Sequence, residues 1–440
     1  MKRLQVREPV FKGEITAFLA LIFMLMLSMV GALFESASIQ VEKSRMRADV
    51  MLALESTFAE YQKELLEEYE VFARFGCEED VLKQRLQYYG ATGMAHSVVR
   101  EERLTDHEGA PFYRQAVRYM KNYFGLDKLS PDSEYDFSKG ASMESTEQQA
   151  FGNLESLFQE YEVTLPNINH PIQTMERLKS TELLTLVAPD IGKLSNQSIS
   201  LNEVASARAL EKGNYENLSE GASDKLFFIA YVDEHFSDAV EPKENKALLY
   251  EQEYLLEGCK SDRENLTAVC EKILFIRMAS NYTYLQSDST KKGEAEFLAA
   301  ILAMLVEAPP LKEPITQAIL LAWAYGESIV DVRVLLKEKR VPLVKSKDTW
   351  QLQLSNLGSL GTSSETVTEK SVADGLCYGD YLKGLFLLEN KRTLSMRSLD
   401  LIEKNLNIQA DQCMTRVEIK STAKLRRGIN ETFTTTFGYQ

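Results

Sequence analysis

The clearest pattern along the chain is a uniform apolar run, Ile15 to Phe34 (ITAFLALIFMLMLSMVGALF), which holds no charged side chain over 20 positions. As an α-helix rising about 1.5 Å per residue it spans roughly 30 Å, the thickness of a bilayer's hydrocarbon core. Thr16 and Ser28 carry its only hydroxyls, and both can bond back to helix carbonyls. A cleaved secretory signal would show an apolar region of about 7–15 residues, so the length predicts a retained membrane span even though Ser36-Ala37-Ser38 offers small residues to a peptidase. Beyond Phe34 the pattern turns periodic. Ile39, Met46, Val50, Leu54, Phe58, Tyr61, Leu65, Tyr69 and Phe72 recur mostly three, four or seven apart, which places them on one helix face. From Glu14 to Phe75 there is no proline and a single glycine, Gly31. The spacing therefore predicts one unbroken helix of about 62 residues, ~90 Å long, whose outer part is an amphipathic stalk that Gly76 stops. Glu60, Lys63, Glu64, Glu67 and Glu70 form its solvated face.

Further along, Pro111 and Gly125 bracket FYRQAVRYMKNYF, with Tyr113, Val117, Met120 and Phe124 on one face, a helix with proline in its first turn and glycine past its end. Ser130 to Gln149 reads as a polar linker. Its run Asp132-Ser133-Glu134-Tyr135-Asp136 has some likeness to a calcium loop, but Phe137 stands where glycine is needed and Met143 where the closing glutamate belongs. Residues 166–217, with Pro166, Pro171 and Pro189, read as an irregular connection. Helical spacing returns in LFFIAYVDEHF and ALLYEQEYLLEG, and Ser261-Asp262-Arg263-Glu264 is a capping box opening a helix that carries Leu266, Val269, Ile273 and Ile276 on one face. The apolar runs Phe297–Val306 and Ile315–Tyr325 are too short to cross a bilayer and fit core helices. Glu327 and Asp331 follow, four apart on one helix face, where like charges repel unless a cation joins them; an arginine from the same fold is the expected partner, a bound ligand or metal the sharper alternative. VPLV and TWQLQL have the look of strands, and a Gly/Ser loop runs from Ser355 to Ser364. Helices are expected around Asp380–Glu389 and Ser395–Asn405. RVEIKS and ETFTTTFGY then alternate as a terminal hairpin, with Arg426-Arg427-Gly428 in the turn.

Composition narrows the function classes. With 44% hydrophobic and 26% charged residues the 440-residue chain has material for a real core and for two or three domains, which excludes disorder as the dominant state. A net charge of −15 without a basic cluster argues against nucleic acid as a partner. The five cysteines, Cys77, Cys259, Cys270, Cys377 and Cys413, form no C-x-x-C pair and read as buried free thiols, with Cys259 and Cys270 the nearest candidates for pairing. The metalloprotease, nucleophile-elbow, phosphate-loop and dinucleotide signatures are all missing, so no enzymatic role, catalytic residue, cofactor or metal is expected. Lys2, Arg3, Arg7 and Lys12 precede the span, whereas Lys43, Arg45 and Arg47 after it are mixed with Glu35, Glu42 and Asp49. Positive charge stays on the cytoplasmic side, which predicts an internal N-terminus and an extracytoplasmic body.

The segment Lys12-Gly13-Glu14-Ile15-Thr16-Ala17-Phe18-Leu19-Ala20-Leu21 resembles the start of TadE/TadG-like pseudopilins of tight-adherence (Tad, Flp-type) pilus systems, which begin with a short basic segment, a glycine and an apolar helix ahead of an extracytoplasmic domain. Prepilin-type processing calls for glutamate five residues after the glycine, and this chain has Phe18 there; the resemblance thus implies the uncleaved, TadG-like arrangement. Four longer blocks, ALESTFAEYQKELLEEYEVFA, LLYEQEYLLEGCKSDRENLTAV, AWAYGESIVDVRVLL with VPLVKSKDTWQL, and YGDYLKGLFLL, are similar to an uncharacterised family of clostridial single-span proteins associated with Tad pilus genes. That family brings no catalytic residues.

Together these readings predict a mainly α, α+β protein: a cytoplasmic N-terminus at 1–14, a transmembrane helix at 15–34, a stalk at 35–75, a first helical part at 76–165, a connection at 166–217, and a helical part with a small C-terminal β element at 218–440. The expected role is a non-catalytic, membrane-anchored component of a Tad-like surface assembly. Its stalk face (Ile39, Met46, Val50, Leu54, Phe58, Tyr61) would pack against other envelope proteins or a second copy. The alternative is an extracytoplasmic sensor or ligand-binding module on the same anchor.

Overall fold

The computed structural model describes residues 12–125, 171–188, 194–217, 221, 223–305, 308–362, 365–425 and 428–439. The chain order is α1 (Lys12–Phe58), α2 (Lys63–Tyr69), β1 (Arg74–Phe75), α3 (Glu79–Tyr88), β2 (Met94–Arg103) and α4 (Asp106–Tyr123); then α5 (Pro171–Ser180), α6 (Leu183–Val187), α7 (Asp224–His235), α8 (Glu251–Glu257), α9 (Asp262–Ser287), α10 (Ser289–Leu305) and α11 (Lys312–Leu336); and last α12 (Tyr378–Leu388), α13 (Lys391–Leu406), β3 (Cys413–Lys424) and β4 (Asn430–Gly438). This is a mainly helical α+β protein with a small antiparallel sheet and one long apolar N-terminal helix.

The long helix stops at Phe58, not at Gly76. No residue in the sequence breaks it; the C-terminal strand does. The Phe58 ring packs on Phe437 and Tyr439 at 5.0 and 5.2 Å, the Tyr439 hydroxyl donates to the Phe58 carbonyl, and the Gln62 N–H crosses to the Ala73 carbonyl at 2.8 Å. The chain resumes as α2, so Leu65 and Tyr69 keep helical spacing but enter a different core. Gly76 does take a left-handed φ of 94°, in the turn after β1.

Two apolar cores result. The smaller joins the outer part of α1 (Val50, Leu54, Phe58) to α3 (Leu82, Leu86) and to the inner face of β3 and β4 (Val417, Ile419, Phe433). In the sheet β3 is central: β2 pairs along one side, while β1 and β4 share the other, all antiparallel. The predicted hairpin is β3–β4. Strands β1 and β2 went unpredicted because MAHSVVREER carries charges at its last four positions and takes its extended form from pairing with β3.

The larger core surrounds α11, whose residues from Ile319 to Ala324 and from Gly326 to Leu335 are all buried. Helices α5, α6, α9 and α10 lie against it. Alongside, α4 and α7 meet through edge-on and tilted aromatic pairs, Phe112–Phe228 at 6.0 Å and Tyr113–Phe228 at 4.8 Å. The expected capping at Ser261 is present, its hydroxyl accepting from the Glu264 N–H at 3.3 Å.

Three expectations need correction. Residues 171–187 are two helices whose Leu178, Leu184, Leu186 and Val187 belong to the core, so the stretch is structural rather than a connection. VPLV and TWQLQL are not strands: Val341 makes a lone bridge to Leu376, and the Gln351 and Leu352 N–H groups donate to the Glu327 carboxylate instead of a neighbouring strand. In ALLYEQEYLLEG only Glu251–Glu257 is helical, because the Leu249 and Tyr250 N–H groups are taken by Asp262 at 3.1 Å each. Most of the N-terminal segment 1–14, the Ser130–Gln149 linker with its calcium-like run, and the turn residues Arg426-Arg427 lie outside the described residues.

Candidate membrane anchor and buried charge network

Every residue of Ile15–Phe34 is exposed to the surroundings of the chain, including Phe23, Met24 and Phe34 at 66, 74 and 76%. Twenty consecutive uncharged, mostly apolar residues left bare on a helix make a segment that is long and apolar enough to cross a membrane. The stalk face is divided. Val50, Leu54 and Phe58 are buried by the chain's own sheet, Ile39 and Met46 are half-buried, and Tyr61 is 39% exposed with its ring edge-on to Phe72 at 5.5 Å. The outer half of the face selected from periodicity therefore serves an intramolecular core, against which Met46 also packs, and Ile39 lies beyond it toward the apolar segment. Lys43 and Arg47, on the same stretch of α1, both reach Glu431 of β4, at 2.7 and 3.0 Å.

The pair Glu327 and Asp331 finds two cations. Lys345 Nζ lies 2.6 Å from Glu327 Oε1 and 2.6 Å from Asp331 Oδ1, and Arg277 meets Asp331 Oδ2 at 3.0 Å; all four side chains are fully buried. The remaining donors are placed as well: Arg277 bonds the Pro342 and Leu343 carbonyls at 2.9 and 3.0 Å, and Asn281 donates to Ser328 and Asp331. Glu327 also accepts the Leu352 N–H at 2.7 Å. Burial raises the Glu327 pKa, to about 7, against the pull of Lys345. Two basic and two acidic side chains thus face one another in a fully buried site. The network pins residues 341–352 to α9 and α11. Beside it, Lys291 Nζ sits 4.8 and 5.0 Å from the centres of the Trp323 and Trp350 rings.

The expected partner of the Glu327–Asp331 pair is a cation of the same fold such as arginine; Arg277 fills that role at Asp331 only, and the cation that joins both carboxylates is Lys345. The arginine's identity was partly legible: Arg277 and Asn281 extend the apolar row Leu266, Val269, Ile273 of α9, and polar residues on an apolar face announce buried partners. Lys345 gave no such signal, because it sits in irregular chain. A second buried carboxylate, Glu253, accepts from the Tyr378 hydroxyl at 2.7 Å and the Ala239 N–H at 3.0 Å, and burial pushes its pKa up to about 8. The five cysteines are free, with Cys77, Cys270 and Cys413 buried. Among the described residues no three His, Cys, Asp or Glu side chains are placed to hold a metal ion.

Fold and anchor together define an α+β body carrying one bare apolar helix. The chain belongs to DUF5702, a family of unknown function, which it matches over residues 161–425. No curated protein and no solved structure matches it. The match takes in α5 to α13 and β3, so the sheet joins one strand of the family region to β1, β2 and β4 from outside it.

Proposed function

We propose that the protein is a single-pass, non-catalytic component of a Tad-like surface assembly, anchored through residues 15–34 with its body outside the cell. The observation that carries this reading is the continuity of α1: one helix is bare and apolar over its first part and packed on a sheet from Val50 to Phe58. A rigid joint of this kind holds a body at a set distance from a bilayer, as a pseudopilin-like subunit requires. The orientation is supported by charge. Lys43 and Arg47 share Glu431 and Arg45 lies 3.9 Å from Asp49, whereas Lys2, Arg3 and Arg7 lead the chain with only Glu8 beside them. The half-buried Ile39, with the open side of Met46, leaves a short apolar strip between membrane and body for neighbouring subunits.

The test is protease treatment of intact protoplasts carrying the full-length chain. The body should be digested while a membrane-bound fragment containing residues 15–34 survives. Complete protection of the body would refute the orientation, and recovery of the whole chain in the soluble fraction would refute the anchor.

A further inference from the structure

Strand β4 has one edge in use and one that is bare among the described residues. It pairs with β3 in unbroken register from Arg416↔Gly438 to Lys424↔Asn430. The bonds that bracket this ladder, Leu425 N–H to the Ile429 carbonyl at 2.8 Å and Tyr439 N–H to the Thr415 carbonyl at 3.0 Å, assign the odd-numbered residues of β4 to β3. Asn430, Thr432, Thr434, Thr436 and Gly438 thus turn their N–H and C=O groups away from the sheet. Among the described residues nothing pairs with them, and the four side-chain-bearing ones are exposed. The opposite edge of the same sheet is treated differently. Asn214 caps β2 by bonding both the N–H and the carbonyl of Glu101, at 2.9 and 3.0 Å, and Glu79 takes the Val98 N–H at 3.2 Å. Soluble proteins guard bare edges with lysine, proline or a bulge. NETFTTTFG has none of these.

At the far end of this edge is a cleft of about 360 Å³ between α4 and the sheet, lined by Arg114, Gln115, Arg118, Arg416, Thr436 and Tyr439 among others. Arg114 is bonded to Glu102 at 2.5 Å, Arg416 lies 4.6 Å over the Tyr215 ring, and Arg118 is exposed with no acidic partner among the described residues. Gly438 is needed here: a Cβ on it would come within 2.7 Å of Arg416 Cγ, so glycine lets the arginine stem lie across the strand. Three guanidinium groups meet one lining carboxylate in a chain whose net charge is −15.

We propose that the free edge of β4 and the arginine cleft together accept an extended, acid-bearing segment of another protein, which adds to the sheet as a further strand and sets a carboxylate among Arg114, Arg118 and Arg416. Main-chain bonds to Thr432, Thr434 and Thr436 supply pairing, and the cleft fixes direction and selects acid over base. A second copy of this chain is the wrong occupant. β4 runs alongside α1 and away from the apolar segment, since Glu431 meets Lys43 and Arg47 while Phe437 meets Phe58. Twofold antiparallel pairing of two β4 edges would point the two apolar segments in opposite directions, so they could not share a bilayer. A twofold axis along the strands would set equal residues side by side, out of the stagger a parallel ladder needs. The proposal deepens the assembly reading by naming the face that receives a partner, and only the exclusion of a second copy rests on the anchor.

The test uses the full-length chain in detergent micelles and two fluorescein-labelled peptides, TVTVTVDD and TVTVTVKK. The acidic peptide should bind saturably, with the basic one at least tenfold weaker. R118E, which alters an exposed side chain without an acidic partner among the described residues, should weaken the acidic peptide at least tenfold. T434P removes an outward N–H while leaving the β3 ladder intact, and T434K blocks the edge without a backbone constraint; each should abolish binding with an unchanged thermal melt. No saturable binding up to millimolar peptide, or wild-type binding in both Thr434 variants, would overturn the proposal. So would efficient crosslinking of Thr434→Cys to a second copy in membranes, absent from the parent chain. These readouts do not depend on protease access in protoplasts, so either reading can fail alone.

Discussion

Removing the Lys345 ammonium tests whether the buried network holds the body together. In Lys345→Met the stem volume is roughly kept, but Glu327 and Asp331 lose the group 2.6 Å from each, and Arg277 remains as the one cation for two fully buried carboxylates. Breaking one partner out of a buried ion pair costs about 3–5 kcal/mol, because the stranded charge keeps its desolvation penalty. At roughly 2–4 °C per kcal/mol for domains of a few hundred residues, the melting temperature should fall by about 6–20 °C. The loss should depend on pH in a particular way. The folded-state pKa of Glu327 is already raised, and without Lys345 it rises further, so the variant's deficit should shrink as pH falls and Glu327 takes up a proton. Adding Glu327→Gln to Lys345→Met removes a charge of each sign and should restore a large part of the stability, a non-additivity that a double-mutant cycle reads directly. Thermal melts of the full-length chain in detergent at pH 5 and pH 8 are sufficient. A melting temperature within 2 °C of the wild type for Lys345→Met at pH 8, or strictly additive single and double variants, would refute the reasoning; both thresholds are rough, set by the lower end of the expected shift.

Two further outcomes follow from burial. Val50→Glu places an unpaired charge in the smaller core, where Val50 is fully buried, and should destabilise the sheet by about 3 kcal/mol or more; Leu25→Ala, on the bare segment, should leave the melt unchanged, and a Val50 variant that melts like the wild type would mean that α1 does not rest on the sheet. Glu253 is protonated in the folded chain up to about pH 8 while an unfolded glutamate ionises near its ordinary 4.5, so the folded state binds more protons between these values and its contribution to stability falls as pH rises through that window. Glu253→Gln should flatten that part of a stability–pH curve measured by urea unfolding, and an unchanged slope would remove Glu253 from the account.

Elements with a strong local signal were legible in the sequence. The apolar run needed only its length, the helix after Ser261 only its cap and its row of Leu266, Val269 and Ile273, and the terminal hairpin only its alternation. TWQLQL shows how alternation can mislead: Trp350 and Leu352 are buried as the pattern requires, yet the backbone between them bonds to a carboxylate. Side-chain periodicity reports which residues go inside, not where the N–H groups go. The stalk face carries the same ambiguity. Its spacing identified Val50, Leu54 and Phe58 as residues that need a partner surface, but a partner in the same chain and one in another protein leave the same pattern.

By itself, then, the sequence determined the bare span, the mainly helical body and the need of Asp331 for a cation, because each follows from chemistry within a few helical turns. Tertiary structure decided where α1 ends, that MAHSVVREER is a strand, that Lys345 is the second cation, and that one edge of the sheet is left bare among the described residues. Each of these depends on groups far apart in the chain: Phe58 meets Tyr439, His96 pairs with Ser421 across β2 and β3, and Arg277 reaches Asp331. A local pattern fixes what a segment must bury or bond, and only the assembled fold supplies the groups that satisfy it.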